Sequence, residues 1–180
     1  MEENVWGKTL LNLYRCLENV TDSIDKIILQ MGVSSGRKNS GNFYDSLRQM
    51  NRIIELSNNK ITLINLKVMI EKSLCSLNEI HKKILILKYF DKNNNQTIIE
   101  ALNLSRRTYF RKLKEAVKSF SKSLIQFGYT DNYLFNMLKN EEWIMGLYNN
   151  YSKKNDDELD SFRIVNLAKK NYKKMKMSFI

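Results

Sequence analysis

A cluster of basic side chains in the middle of this 180-residue chain has the residue types and the spacing to contact nucleic acid. The segment Gln96–Ala116 reads QTIIEALNLSRRTYFRKLKEA. Arginines that project from one helix can place their planar guanidinium groups on guanine O6 and N7, and each good pair contributes about 1–3 kcal/mol of discrimination. From this pattern we expect base contacts from Arg106, Arg107 and Arg111.

Polar and basic residues around these arginines have the chemistry of phosphate contacts. Hydroxyls, ammonium groups and helix N-termini position a protein on the phosphate backbone without reading its sequence. Gln96 and Thr97 would use backbone amides as well as side chains. The competing interpretation of each residue is a solvated side chain. The expected phosphate contacts come from Gln96, Thr97, Ser105, Thr108, Lys112 and Lys114.

The positive charge of the chain is concentrated around this segment. Residues 77–128 carry 11 Lys and Arg against 4 Asp and Glu, a net charge of +7. Residues 1–76 carry 10 against 8 and residues 129–180 carry 9 against 7, which is +2 each. An AT-rich coding genome would spread lysine over the whole chain. The uneven distribution therefore points to a polyanionic partner.

The elements that must position these side chains are two short helices and a tight turn. The apolar spacing predicts a first helix over Gln96–Leu102 that buries Ile98. Asn103 tolerates the left-handed backbone that a tight turn requires. Ser105 is a good N-cap for a second helix, which continues to about residue 126 and ends at Gly128. The pattern is typical of a helix-turn-helix whose second helix enters a DNA major groove.

Residues 77–120 resemble the C-terminal DNA-binding region of bacterial sigma factors. The resemblance rests on an aromatic helix end at Lys88-Tyr89-Phe90, a polar turn, an Ile98/Leu102 helix and the Ser105/Thr108 opening of the next helix. The run Ser-Arg-Arg-Thr-Tyr-Phe-Arg is more similar still to sigma-like phage and prophage transcriptional regulators of the ArpU type. Ala116 also matches the pattern. The resemblance as a whole covers about 45 of the 180 residues.

Three departures from the sigma pattern shape what the resemblance implies. Ile99 stands where a small residue usually packs, and Asn103 replaces the usual turn glycine. Upstream of the module there is no acidic, aromatic run like the sigma region that binds core polymerase and melts DNA. The resemblance therefore implies a regulator with a sigma-like DNA-reading module, acting with RNA polymerase, in preference to a self-sufficient sigma factor.

Residues 1–76 are predicted to form a helical arm. Leu10 to Met31 gives seven apolar residues at strict 3-4 spacing in a helix over about 8–31, with Gly32 as its C-cap. A flexible link over 32–42 precedes a second periodic helix over 43–76, which Ser57-Asn58-Asn59 interrupts or bends. This hairpin could dimerise the protein as a coiled coil or could be two plain core helices. The sequence supports both. The apolar positions of the second seam are Phe43, Leu47, Met50, Ile54, Ile61, Ile64, Val68 and Cys75.

Composition predicts an all-α, cytoplasmic protein. There are no prolines and only six glycines, so helix breakers are few. No apolar run approaches the roughly 18–20 residues of a membrane span, and the acidic start MEENVWGK differs from a basic export signal. Cys16 and Cys75 are expected to be reduced packing residues. Residues 129–180 form a helical extension of unknown role, in which aromatics such as Tyr133 and Trp143 favour packing over base stacking.

Enzymatic interpretations have little support in the sequence. The single histidine, His81, excludes two-histidine metal motifs, and the two cysteines lack CxxC spacing. The chain contains neither GxxxxGK[ST] nor GxGxxG. The acidic runs Glu141-Glu142 and Asp156–Asp160 could hold Mg²⁺ in a nuclease, but solvated polar turns are favoured. We expect no enzyme activity and no cofactor.

The sequence thus predicts a sequence-specific, double-stranded DNA-binding transcriptional regulator of phage or prophage type. Its parts are the arm 1–76, the DNA-binding module 77–128 and the extension 129–180. Two other functions fit the same features. One is a small terminase subunit, which joins a helix-turn-helix to helical arms in a ring that packages phage DNA. The other is a divergent alternative sigma factor.

Overall fold

A computed structural model of the protein describes residues 5–37, 43–153 and 161–177. All regular secondary structure in these ranges is helical, which confirms the predicted all-α fold. A π-helical turn, Ile86–Phe90, extends the third helix. The α-helices in chain order are α1 (Val5–Arg37), α2 (Phe43–Cys75), α3 (Glu79–Leu85), α4 (Asn95–Ala101), α5 (Arg106–Gln126), α6 (Asp131–Leu138), α7 (Glu142–Ser152) and α8 (Ser161–Met177).

Helix α1 lies at the centre of the core. Its predicted seam is buried along its whole length, from Leu10 to Met31. Helices α2, α5, α7 and α8 all pack against it. At its N-terminus, the rings of Trp6 and Tyr148 from α7 are 4.4 Å apart. The α1 seam is therefore filled by this chain itself, as the core-helix alternative expects.

Helix α2 runs antiparallel to α1, and two ion pairs fix its register. The Lys60 ammonium lies 2.8 Å from the Asp25 carboxylate, and the Lys67 ammonium lies 3.6 Å from that of Glu18. Each of these four side chains is partly exposed, so the pairs contribute little to stability, on the order of 0–1 kcal/mol. The pairs match the antiparallel register of the two helices, but they are too weak to select which face of α2 meets α1.

The predicted end of α1 at Gly32 is wrong, because the helix continues to Arg37. A glycine within a helix costs only about 0.5–1 kcal/mol relative to alanine, and tertiary contacts easily outweigh that cost. Met31 is buried, and its carbonyl accepts a hydrogen bond from the Gln49 side chain of α2. Of the predicted flexible link 32–42, residues 38–42 lie outside the described residues.

Helix α2 has two apolar faces, and it packs on α1 through the one that the sequence analysis did not select. The predicted seam, from Leu47 to Val68, points to solvent. The other face packs on α1 because burial of each apolar side chain contributes about 1.5–3 kcal/mol, which outweighs the ion pairs of Lys60 and Lys67 beside it. Cys75 is also exposed, contrary to its predicted packing role, whereas Cys16 is buried. The buried face of α2 consists of Leu56, Leu63, Leu66, Met69, Ile70 and Leu74.

The polar run Ser57-Asn58-Asn59 was predicted to interrupt or bend α2, but the helix is continuous through it. The Ser57 hydroxyl donates to the Ile53 carbonyl at 2.8 Å, and the Thr62 hydroxyl donates to the Asn58 carbonyl at 3.0 Å. Both bonds satisfy a side chain within the helix, so neither hydroxyl competes for the backbone amides that hold the helix together.

Tyr14 joins α1 to the end of the third helix. Its ring stacks on Phe90 of the π-helical turn, 3.9 Å between centroids, and its hydroxyl donates to the Glu71 carboxylate at 2.6 Å. Burial, followed by the hydrogen bond and the charge of Glu71, raises the pKa of Tyr14 to about 12. Helix α3 does not continue as an α-helix to the aromatic helix end at Lys88-Tyr89-Phe90. It ends instead in a π-helical turn, which has more residues than an α-helical turn, and Phe90 at the end of this turn contacts Tyr14 of α1.

A buried carboxylate joins α7 and α8. Glu141 precedes α7, and its Oε2 accepts hydrogen bonds from the Tyr172 hydroxyl at 2.6 Å and from the Trp143 indole at 2.9 Å. Burial raises the pKa of Glu141, although both hydrogen bonds act to lower it. The favoured interpretation of Glu141 as part of a solvated turn is therefore wrong. The second acidic run, Asp156–Asp160, lies outside the described residues.

Candidate nucleic-acid interface

Helices α4 and α5 each begin at a side-chain cap, and a turn with one left-handed residue connects them. Asn94 caps α4 by accepting from the Thr97 amide at 2.8 Å, and Ser105 caps α5 by accepting from the Thr108 amide at 3.2 Å. Between the helices, Asn103 takes a left-handed conformation with φ of 49°. The backbone amide of Asn103 donates to the Glu100 carbonyl at 3.1 Å, which satisfies a carbonyl group at the end of α4. The left-handed backbone predicted at Asn103 is confirmed.

A small core holds α3, α4 and α5 together. Ile84, Ile98 and Tyr109 are fully buried against one another, one from each helix. The Tyr109 hydroxyl donates to the Asn95 side-chain oxygen at 3.0 Å, so it fixes the first residue of α4 against α5. Ile99 is half-buried at the edge of this core, so the larger side chain is accommodated there.

The rest of α5 attaches this small core to the main one. Ala116, Phe120 and Leu124 are buried among residues of the main core. At the far end of the helix, the Ser123 hydroxyl donates to the Ser73 carbonyl of α2 at 3.0 Å. Because one face of α5 is buried along the helix, the opposite face is held in a fixed orientation towards solvent.

Basic residues line the solvent-facing side of α5. At about 100° per residue, Arg107, Arg111, Lys114 and Lys118 fall within about 60° of one another around the helix axis. All four side chains are exposed. We call these four residues the α5 basic row. The structure therefore brings together three of the residues predicted to bind nucleic acid and adds Lys118 to them.

Arg106 lies on one flank of the α5 basic row, beside an exposed aromatic ring. Its guanidinium carbon is 6.0 Å from the centre of the Phe110 ring. The Phe110 ring in turn meets the Tyr109 ring edge to face at 5.1 Å. The guanidinium of Arg106 is thus directed along the surface of α5, about 100° around the helix from Arg107.

Ser105, Thr108 and Lys112 lie on the other flank. The Ser105 hydroxyl donates to the Thr108 hydroxyl oxygen at 2.8 Å, in addition to its capping bond. Both hydroxyls are therefore engaged in the cap, although the Thr108 hydroxyl retains its own hydrogen to donate. Lys112 is half-buried, unlike the lysines of the α5 basic row. This flank therefore presents one hydroxyl hydrogen and one half-buried ammonium group to solvent.

Gln96 and Thr97 lie at the exposed start of α4. The Gln96 amide group donates to the Glu100 carboxylate at 2.6 Å. The backbone amide of Thr97 already donates to Asn94 in the cap of α4, so the phosphate contact predicted for Thr97 rests on its side chain. The Thr97 hydroxyl is exposed and remains a candidate.

Two further exposed lysines of α5, Lys118 and Lys122, lie one and two turns beyond Lys114 and are not among the predicted contacts. Their positions were readable from the sequence, because Arg107, Arg111 and Lys118 follow helical spacing of four and seven residues. The predicted contacts ended at Lys114 because recognition helices contact bases near the start of the helix.

The α5 surface has little negative charge to offset this row. Glu115 is the single carboxylate in α5. It lies 4.0 Å from the Arg111 guanidinium and 3.9 Å from the His81 ring of α3. Both separations are at the outer limit of an ion pair, and the Arg111 and Glu115 side chains are largely exposed, so the guanidinium is only weakly held. It can turn towards a ligand at small cost.

Other site types find no geometric support in the described part of the chain. Over residues 5–37, 43–153 and 161–177, no three metal-ligating side chains form a cluster. Within the same ranges, no helix has the length and apolar character to cross a bilayer.

The chain belongs to the family described as Protein of unknown function (DUF1492), whose model matches residues 21–121. The matched segment begins within α1, contains α2, α3 and α4, and ends within α5. No curated protein and no solved structure is detectably similar to the chain.

Proposed function

We propose that this member of the DUF1492 family is a sequence-specific DNA-binding transcriptional regulator that places α5 in the major groove. The observation that carries the proposal is the α5 basic row. Four cations on one exposed face, opposite a buried face, form a ridge of positive charge along the helix. Helix α4 then acts as the first helix of a sigma-like helix-turn-helix, crossing behind the reading helix.

The dimensions of α5 suit this role. A helix with its side chains is about 10–12 Å across, and the major groove of B-DNA is about 12 Å wide. Arg107, in the first turn, is at the position from which recognition helices contact base edges. Lys114 and Lys118 lie two and three turns further along, where the groove wall brings phosphates close. We therefore assign Arg107 and Arg111 to bases and the lysines to phosphates.

The flanks of α5 supply further contacts of both kinds. Phe110 is an exposed apolar group beside the row, and apolar side chains contact the thymine methyl group. Arg106, packed beside it, would reach a base or a phosphate on that side. On the opposite flank, Thr108, Lys112 and the exposed Thr97 hydroxyl would position the protein on the backbone, as Gln96 and Ser105 would at the helix starts.

Duplex RNA fits the same row poorly. The major groove of A-form RNA is too deep and narrow for side chains on a helix to read. The charge of residues 77–128, +7, supports a polyanionic partner, and the rigid helix supports DNA in particular. The sigma-like resemblance supports action at promoters with RNA polymerase and an origin in a phage or prophage. The proposed cytoplasmic location rests on the composition of the chain.

Selection from a pool of random DNA duplexes tests the proposal. The full chain should enrich a short motif, and the double variant Arg107→Ala/Arg111→Ala should enrich none. Lys26→Ala removes an exposed cation from α1, outside the proposed interface, and should enrich the same motif as the unchanged chain. Duplex RNA of matched length should compete weakly. Failure of the full chain to enrich any DNA motif would refute sequence-specific binding.

A further inference from the structure

Helix α2 exposes an apolar stripe that no other part of the described chain covers. Its six apolar members are between 44% and 60% exposed. They extend over about 30 Å of helix, at 1.5 Å per residue. We call this set the α2 stripe: Leu47, Met50, Ile54, Ile61, Ile64 and Val68.

The α2 stripe is large for a surface that stays in water. Six side chains that are each about half exposed leave on the order of 500 Å² of apolar surface, near the largest patch of a typical monomer, about 300–600 Å². Two such stripes in contact would remove on the order of 1,000 Å² from water, which is about the minimum for a stable protein interface. The area is therefore sufficient for one specific partner of the same size.

The spacing of the α2 stripe specifies the shape of that partner. Its members alternate in steps of three and four residues, with Ser57 at the one polar position between Ile54 and Ile61. A 3-4 repeat keeps one narrow line of side chains facing a second helix that lies nearly parallel or antiparallel to the first. The internal stretch 154–160, which reads KNDDELD, has one apolar residue and cannot supply such a line.

We infer that the α2 stripe binds the α2 stripe of a second copy of this chain, forming a two-stranded interface about a two-fold axis. A two-fold interface requires a surface that complements itself. The stripe meets this condition, because it has three apolar residues on each side of Ser57. Apolar residues therefore meet apolar residues whether the second helix runs in the same or the opposite direction.

The charges beside the stripe favour a second copy over a charged partner. One border consists of Asn51, Asn58 and Asn65, which are uncharged and can hydrogen-bond to one another. On the other border, Lys60 and Lys67 are already paired with carboxylates of α1. Between Asn51 and Lys67, two copies can therefore approach without facing unpaired charges of like sign, even though the whole chain carries a net charge of +11. Beyond this stretch, the Lys72 ammonium lies 4.6 Å from the centre of the Phe127 ring of the same chain.

The dimer carries a consequence for DNA that rests on the proposed function. The C-terminal end of α2 is tied to α5 by the hydroxyl contact between Ser76 and Ser123 at 2.6 Å. A dimer through α2 would therefore hold two α5 helices in a fixed relation. The DNA site of the dimer would then contain two copies of the motif that one α5 reads.

Mass measured by light scattering, without DNA, tests the dimer. The unchanged chain should have twice the 21.3 kDa mass of one copy. Ile61→Asp places a charge at the middle of the stripe and should give the monomer mass. Because Ile61 is exposed within one copy, this variant should keep the helical circular dichroism and a cooperative thermal transition. The transition should lie at a lower temperature than in the unchanged chain, because dimerisation no longer stabilises the folded state.

Leu167→Asp is the matched control. Leu167 is an apolar residue of α8 that is exposed to a similar extent but lies outside the stripe, so this variant should remain dimeric. A monomeric unchanged chain, a ring of many copies, or a dimer that persists in Ile61→Asp would each overturn the inference. DNA binding is measured separately: a dimer that binds no DNA contradicts only the proposed function, and a monomer that binds DNA contradicts only the dimer.

Discussion

The Tyr109 hydroxyl donates a hydrogen bond of 3.0 Å to the side chain of Asn95, and this bond ties the start of α4 to a fully buried residue of α5. Tyr109 also packs on Ile98 of α4 and Ile84 of α3. One side chain thus sets both the spacing and the relative orientation of the two helices that we propose to dock on DNA.

Tyr109→Phe should therefore loosen α4 on α5 without emptying the core. Loss of one neutral hydrogen bond should lower the free energy of unfolding by about 0.5–1.5 kcal/mol, measured by chemical denaturation. Affinity for the preferred DNA site should fall as well. Tyr133→Phe removes the hydroxyl of an exposed tyrosine in α6 and should change neither quantity. Equal stability of Tyr109→Phe and the unchanged chain would show that the bond does not hold α4.

The cap of α5 offers a test that separates folding from DNA binding. Ser105→Asp keeps an N-cap acceptor and adds a negative charge at a helix N-terminus, so the melting temperature should be unchanged or higher. The same charge would face phosphates, so DNA affinity should fall. Ser105→Ala should lower the free energy of unfolding by about 0.5–2 kcal/mol.

Thr130 provides the matched control for this charge. It caps α6 in the same way, accepting from the Tyr133 amide at 3.3 Å. Thr130→Asp makes the same kind of change at a helix that we do not assign to DNA, and it should leave DNA affinity nearly unchanged. If Thr130→Asp and Ser105→Asp weakened binding equally, the effect would be one of net charge, and the position of α5 on DNA would lose this support.

The buried carboxylate of Glu141 should make stability depend on pH in an unusual direction. Burial raises its pKa above 4.5 in the folded protein, so folding favours the protonated form. The resulting stabilisation is fully present below about pH 4.5 and is lost as the pH rises through the folded-state pKa. Glu141→Gln keeps an acceptor oxygen for Tyr172 and Trp143 but cannot ionise.

The difference in unfolding free energy between Glu141→Gln and the unchanged chain should therefore move in favour of Gln from about pH 4 to about pH 7. Glu141→Ala removes the acceptor for two buried donors and should cost about 1–3 kcal/mol. A difference between Gln and Glu that does not vary with pH would show that the carboxylate titrates alike in the folded and unfolded chain.

The sequence predicts local features of this fold well, because each depends on a few neighbouring residues. Ser105 as a cap, the left-handed Asn103 and the end of α5 at Gly128, with φ of 85°, follow from short-range chemistry. The end of α1 did not, because Gly32 only weakly disfavours a helix and contacts with α2 decide the outcome. Likewise, the π-helical turn at the end of α3 accompanies the stacking of Phe90 on Tyr14, two residues that are far apart in the sequence.

The seam of α2 shows why helical periodicity alone could not place the core. Both faces of α2 repeat every three to four residues, so the pattern identifies a helix with two apolar faces and leaves open which one is buried. The choice depends on which face fits the apolar surface of α1, and that surface lies on another helix. In the candidate interface, the residue types were predictable from the sequence. That Arg107 lies at the centre of the exposed side of α5, with Arg106 and Lys112 on its flanks, could be told only once the buried face of α5 was known.

The measurement that tests the central claim most directly is DNA affinity as a function of salt for two single variants, on preferred and random duplexes. Arg107→Ala should cost about 1–3 kcal/mol on the preferred duplex and little on random DNA, because a base contact carries sequence information. Lys118→Ala should weaken both duplexes alike and reduce the slope of log K against log salt by at most about one. Lys26→Ala should do neither. Salt-independent binding, or Arg107→Ala and Lys26→Ala with the same affinity on every duplex, would contradict the assignment of α5 as the DNA-reading helix.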